Sequence, residues 1–254
     1  MAFVQCGGAA AALEGTTLVL PSVAVGNVAQ LAADLLINTL EARRIGLFDS
    51  ASVLAVSGAS GFDHGAAGQR AAPVEVYQTA DARWTLVQQR APPLPGRHGA
   101  FARELLAFIQ AARFARVVLL ASSDAALRPD ALIHGAQIRS LTVNWPGDGE
   151  LAARLRALAL DPLRAPRGAQ DPEPLKQLHA AGVAKRLLAL CGPAGVPVVA
   201  LVALASEGDN VPDAVRLANA ANALLEIAPA DVRWRPPRSW QWLAGPGGPR
   251  PELY

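Results

Sequence analysis

The run Val196 to Ala205 (VPVVALVALA) most restricts how this chain can fold, because it offers no polar residue to either side of a strand. Such a strand must be covered by protein on both faces, the condition of a parallel strand inside a layered α/β domain. Thr16 to Leu20 (TTLVL), closed by Pro21, and Arg116 to Ala121 (RVVLLA) have the same character. Ile45 to Phe48, Val53 to Val56 and the weaker Ile138 to Val143 also read as strands. Val74 to Thr79 and Trp84 to Arg90 alternate and are expected to pair as a hairpin across Ala80 to Arg83.

Helices fall between these runs. From Asn27 to Glu41, the polar residues Asn27, Gln30, Asp34, Asn38 and Glu41 share one stripe opposite Val28, Leu31, Leu35 and Leu36, the pattern of an amphipathic helix lying on a core. A second helix follows the APPLPG break at Ala91 to Gly96, with Phe101, Leu105, Phe108 and Ile109 on its apolar face. Leu151 to Leu160 and Val183 to Leu190 are expected to be short helices. Pro212 to Ala228 is a longer one, with Asp209 or Asn210 placed to cap its first amides. The alternation predicts a single-domain layered α/β/α fold with a largely parallel, mixed sheet plus a β-hairpin. That domain should span residues 1–244. Asp161 to Pro174, with four prolines in fourteen residues, is expected to be an exposed loop within it, and Gly245 to Tyr254 an extended tail reaching about 30 Å.

A chain of 254 residues with 52% apolar content can bury one large core, and no apolar run approaches the length of a membrane span. Met1 to Leu13 does not read as a secretory signal, so an intracellular, soluble protein is expected. Cys6 and Cys191 form no framework and read as buried small hydrophobes. The net charge of +2 comes from scattered arginines without a dense basic stripe, which argues against nucleic-acid binding.

Catalytic motifs are missing where such a fold would carry them. The turn PSVAVGN supplies only Gly26, short of a dinucleotide fingerprint, and the loop with Gly58, Gly61 and Gly65 lacks a following Lys-Ser or Lys-Thr. Ser60 lacks the spacing of a nucleophile elbow, which needs glycines both two before and two after the serine, since Phe62 stands at the second position. His64, His98, His134 and His179 stand alone, with no metal-ligand spacing. The most polar strand-to-helix turn is Ser206 to Asn210 (SEGDN). Glu207, Asp209 and Asn210 there read as a turn and helix cap at the positive end of a helix dipole. The competing reading makes this turn the acid and base of a small-molecule enzyme. No catalytic residue, cofactor or metal is assigned. Arg233 to Trp242 (RWRPPRSWQW) packs three of the five tryptophans into ten residues, and is expected to dock onto the domain.

TTLVLPSVAVGNVAQLAADLLINTL at Thr16 to Leu40, SEGDNVPDA at Ser206 to Ala214 and RWRPPRSW at Arg233 to Trp240 together resemble the proteasome assembly chaperone 2 family. FVQCG, VEVYQ and RVVLLASS fall in the family's order, so the resemblance covers nearly the whole chain. It implies a fold like that of the purine nucleoside phosphorylases without nucleotide chemistry. It also implies a heterodimer with proteasome assembly chaperone 1 that binds 20S proteasome α subunits, promotes α-ring assembly and blocks unproductive ring dimerisation, in cytoplasm and nucleus. Two features depart from the family. Only Gly182 in HAAGVAKRLL stands for a glycine-rich stretch, and Tyr254 is itself the last residue, where tails that enter α-subunit pockets carry one more. Leu253 and Tyr254, with the terminal carboxylate, are the candidate partner-binding residues.

Overall fold

The computed structural model describes residues 2–6, 11–65, 68–128, 130, 133–135, 137–158, 160, 163 and 174–242. Elements follow in the order β1 (Ala2–Gln5), β2 (Thr17–Pro21), α1 (Val28–Thr39), β3 (Arg43–Asp49), β4 (Gly58–Ala59), β5 (Arg70–Ala71), β6 (Val74–Gln78) and β7 (Trp84–Gln89). They continue with α2 (His98–Ala112), β8 (Arg116–Asp124), β9 (Ile138–Val143), α3 (Glu150–Ala157), α4 (Ala184–Cys191), β10 (Val198–Ala205) and α5 (Val211–Leu225). Eight strands form one sheet ordered β1-β3-β6-β7-β2-β8-β10-β9, and β4 pairs with β5 in a separate two-stranded ladder.

The centre of the large sheet, β7-β2-β8-β10, is parallel, and every other pairing is antiparallel. The expected hairpin, β6 with β7, is thus built into the sheet as the step from its parallel to its antiparallel part. Side chains alternate across β2, β8 and β10. Leu18, Leu20, Val117, Leu119, Val198 and Ala200 pack with α2 and α4. Val19, Val118, Leu120, Val199 and Leu201 pack with α1 and α5 on the other face. The result is a three-layer sandwich whose central strands meet no water, as the run at Val198–Ala205 demanded. At the β1 edge, Phe3, Phe48, Phe108 and Phe114 make a ring-on-ring cluster, and the Phe3 ring occupies the space that a Cβ on Gly46 would need.

Several expectations need correction. Val53 to Val56 is not a strand: only Val53 pairs, in a single bridge to Pro93, because the Pro92–Pro93 turn offers no ladder beyond it. The loop Gly58 to Gly68 is not wholly irregular, since Gly58–Ala59 pairs with Arg70–Ala71. The polar stripe of α1 does not face solvent, for Asp34 and Asn38 are only 3% and 2% exposed and are covered by the C-terminal segment. Cys191 is fully buried, and burial pushes its thiol up to about 11, whereas Cys6 is only half-buried. Most of Asp161 to Pro174 lies outside the described residues. Leu163, within it, is 1% exposed and donates its N–H to the Ser140 carbonyl, so that point of the loop belongs to the core. The tail 245–254 also lies outside the described residues. Among the described residues, no helix is long and apolar enough to cross a membrane.

Gly182 has φ +59°, and a Cβ there would overlap the Val23 carbonyl, whereas Gly195, at φ +68°, has open space around it. Gly182→Ala should therefore lose about 3 kcal/mol of stability in urea unfolding, and Gly195→Ala only about 1 kcal/mol. Equal losses would mean that the close approach at Gly182 is not maintained in solution.

Candidate functional site

In an open α/β sheet, ligands enter the crevice beyond the carboxyl ends of the parallel strands. Here the chain itself fills that crevice. Beyond β2, the Ser22 hydroxyl donates to the Ala181 carbonyl at 2.9 Å and accepts from the Val183 amide at 3.1 Å. Within the end of β8, Ser122 donates to the Val25 carbonyl at 2.7 Å, while Ser123 donates to the His179 carbonyl at 3.1 Å and accepts the His179 amide at 2.9 Å. All three serines are buried. Their hydroxyls, which could have met a phosphate or a nucleophilic role, are committed to backbone, those of Ser22 and Ser123 between residues 177 and 183 and that of Ser122 at Val25, with Gly182 pressed against Val23. Their spacing matches no catalytic motif. The only signal in the sequence is that Ser22, Ser122 and Ser123 directly follow apolar strand runs.

The turn Ser206 to Asn210 lies on the same edge. Asp209 Oδ1 accepts the Val211 amide at 3.2 Å, and Asn210 occupies the position before α5. The Asn210 side chain does not accept from the first turn; it donates to the Gly208 carbonyl at 3.0 Å and fills the space beside Gly26. Glu207 Oε1 accepts the Gly26 amide at 3.4 Å. Glu207 and Asp209 are exposed. The structure thus ties this turn to the turn after β2, and among the described residues no hydrogen bond or ion pair joins a histidine or lysine to it. His64 is elsewhere, bonded to the Ala42 carbonyl at 2.8 Å, and the described residues contain no group of three metal-ligating side chains.

The C-terminal segment is tied to α1, α5 and the loop around Asp63 by side-chain bonds. Asp34 of α1 accepts from Gln88 Nε2 at 2.6 Å, from Trp240 Nε1 at 3.0 Å and from Arg90 Nη1 at 3.0 Å, while Arg90 Nη2 lies 2.8 Å from its other oxygen. Desolvation is the largest single influence on Arg90 and pulls its pKa down, but the Asp34 charge and hydrogen bond together with the Glu75 and Tyr77 charges outweigh it and hold the guanidinium above its usual range. One turn along α1, Asn38 donates to the Arg235 carbonyl at 3.0 Å and to Asp63 at 3.1 Å. Trp234 Nε1 donates to Asn219 of α5 at 2.7 Å, and Trp234 and Trp240 are 4% and 1% exposed. The ion pairs Arg235–Glu41 and Arg238–Asp63 are open to water on both sides and contribute about 0–1 kcal/mol each. A buried, charge-assisted bond such as Trp240 to Asp34 contributes about 1.5–3 kcal/mol. The docking expected for this segment is what the structure has. Leu253 and Tyr254, beyond it, lie outside the described residues.

The family model described as "PAC2 family" matches residues 18–232. The chain belongs to the PAC2 family. Proteins named proteasome assembly chaperone 2 match it along nearly their whole length. That of Danio rerio is 33% identical, covering 97% of this chain and 98% of its own, and that of Homo sapiens is 29% identical, covering 99% and 100%. That of Nematostella vectensis is 36% identical over 86% of this chain and 93% of its own. Among solved structures, Pyrococcus furiosus PbaA, an archaeal homolog of proteasome-assembly chaperone, superposes with a TM-score of 0.62 at 18% identity, covering 85% of this chain and 84% of that one. PbaB from the same organism, an archaeal proteasome activator, gives 0.59 at 14% identity over 90% of each chain. These two share the fold of this PAC2-family chain.

Within the PAC2-family fold, the filled crevice should matter more for stability than for chemistry. Ser22→Ala leaves a buried amide and a buried carbonyl without their partner, and should lower the unfolding free energy by about 1–3 kcal/mol, read by thermal or urea denaturation. A change within a few tenths would show that the hydroxyl's bonds are replaceable by water.

Proposed function

We propose that this protein is a proteasome assembly chaperone that acts by binding other proteins. In our reading it pairs with proteasome assembly chaperone 1, and the heterodimer binds 20S proteasome α subunits, promotes α-ring assembly and prevents unproductive ring dimerisation in cytoplasm and nucleus. The observation that carries the reading is PAC2-family membership over residues 18–232, with full-length relatives named for that role. The crevice supports it, because the chain's own backbone occupies the space an enzyme of this architecture would give its substrate.

The same edge carries apolar surface suited to protein contact. Leu54 and Val56 follow β3, and Leu127 and Ile133 follow β8; these four are between 39% and 56% exposed. Both strands end on the edge where β2 and β10 end. We assign a second contact to the tail, where Leu253 and Tyr254 would offer a hydrophobe and a ring to a pocket between α subunits.

Capture of the tagged chain from cells should recover a second assembly chaperone and α subunits. Recovery of neither, together with retention of a nucleoside or phosphate by the pure protein, would replace this reading by the small-molecule one at Ser206 to Asn210. Deleting Glu252 to Tyr254 should weaken α-ring binding by about tenfold, as expected when an anchoring aromatic contact is lost. Unchanged affinity would remove the tail from the proposal and leave the rest standing.

A further inference from the structure

The loop that carries Gly58, Gly61 and Gly65 matches no phosphate motif, yet the fold sets it among arginines. Arg70 of β5 and Arg238 of the C-terminal segment line a cavity of about 610 Å³ beside the β4–β5 ladder. Arg43 and Arg44 of β3 line a second cavity of about 390 Å³. Ser60, Phe62, Gly65 and Gln69 belong to both linings, so the two are adjoining lobes of one concavity. Four arginines at distant or unremarkable places in the sequence are thus gathered by the fold, and among the described residues no carboxylate lines either lobe.

Two carboxylates lie close by. Buried Glu75 takes Arg44 at 2.7 Å, and exposed Asp63 meets Arg238 at 3.4 Å. Arg43 and Arg70 have no acidic partner among the described residues, although Arg70 Nε donates to Ser57 Oγ at 3.2 Å. Four guanidinium groups against two carboxylates leave two positive charges uncompensated, and a guanidinium does not shed its proton to relieve this. The lining offers little to nucleic-acid bases, which need open aromatic faces: Phe62 and Tyr77 are 3% and 2% exposed, and His64 is stacked against Phe62. A lone phosphate would meet one lobe and leave the other empty. An extended chain with acids two residues apart presents charges about 7 Å apart on one face, and can serve both. The geometry points to a site for an extended, acidic segment of a partner protein, held by Arg43 and Arg44 in one lobe and by Arg70 and Arg238 in the other. That the occupant is a protein rests on the reading that this molecule acts by binding proteins.

The test uses the full chain and a short fluorescent peptide of alternating glutamate and serine. The peptide should bind saturably at low salt and be released at about 1 M salt, where charges are screened beyond about 3 Å. Arg43→Gln and Arg70→Gln should each weaken binding about threefold, and together about tenfold, the scale of exposed ion pairs. Both side chains are exposed, so the urea midpoint should stay at the parental value. Arg43→Lys with Arg70→Lys, which keeps the charge, should bind within about threefold of the parent. Arg113→Gln, at the end of α2 on the opposite face of the sheet, removes the same net charge and should leave binding unchanged. Failure to saturate, or an equal loss from Arg113→Gln, would overturn the site. Tighter binding of a single-stranded DNA of matched length, lost with the same two arginines, would overturn the peptide reading in favour of nucleic acid. Displacement of the peptide by equimolar inorganic phosphate would overturn it in favour of a small anion. If capture from cells recovers α subunits but the peptide does not bind, this site falls and the proposed function stands. If the peptide binds and capture recovers no assembly partner, the proposed function falls and the acidic-peptide site stands.

Discussion

Exclusion of water from both faces of β2, β8 and β10 is the constraint on which the rest of the molecule depends. Strands with apolar side chains on each face cannot lie at a surface, so helices must return over both sides, and a parallel pairing with long crossovers satisfies that need. α1 and α5 cover one face, and α2 and α4 the other. The direction imposed on the three strands also gathers their carboxyl ends on one edge, and whatever the chain does with that edge decides its chemistry.

The chain closes it. Ser22, Ser122 and Ser123 look outward from the ends of buried strands, and each is met by a backbone group from elsewhere in the same polypeptide. The segment from His179 to Val183 reaches Ser22 and Ser123 because Gly182 has no side chain to hold it away from Val23. Where an enzyme with this layering would bind a small molecule, this chain binds itself. What it offers outward is surface: the apolar loops after β3 and β8, and a terminal segment strapped along α1.

Much of the fold was legible because burial leaves a strong trace in residue choice. The runs at Thr16, Arg116 and Val196 became β2, β8 and β10, and the alternation from Val74 to Arg90 became β6 and β7. Local pattern failed where a partner distant in sequence decided the outcome. Val53 to Val56 has the composition of a strand, but its neighbour is a pair of prolines that cannot extend a ladder. Asp34 and Asn38 sit on a polar stripe that periodicity assigns to solvent, and periodicity cannot register that a segment some two hundred residues later lies across it. The serines of the closed edge were silent for a similar reason, since one hydroxyl after an apolar run looks the same whether it meets a ligand, water or a carbonyl.

The ring of Phe3, resting in the hollow at Gly46, makes the first strand a latch. β1 contributes four residues of pairing at the margin of the sheet, and the Phe3 ring adds an aromatic seat to that ladder. Any larger side chain at position 46 would evict the ring and bare the outer rim of β3, a row of open amides and carbonyls able to recruit a foreign strand. One glycine thereby decides whether the sheet ends at β1 or at β3.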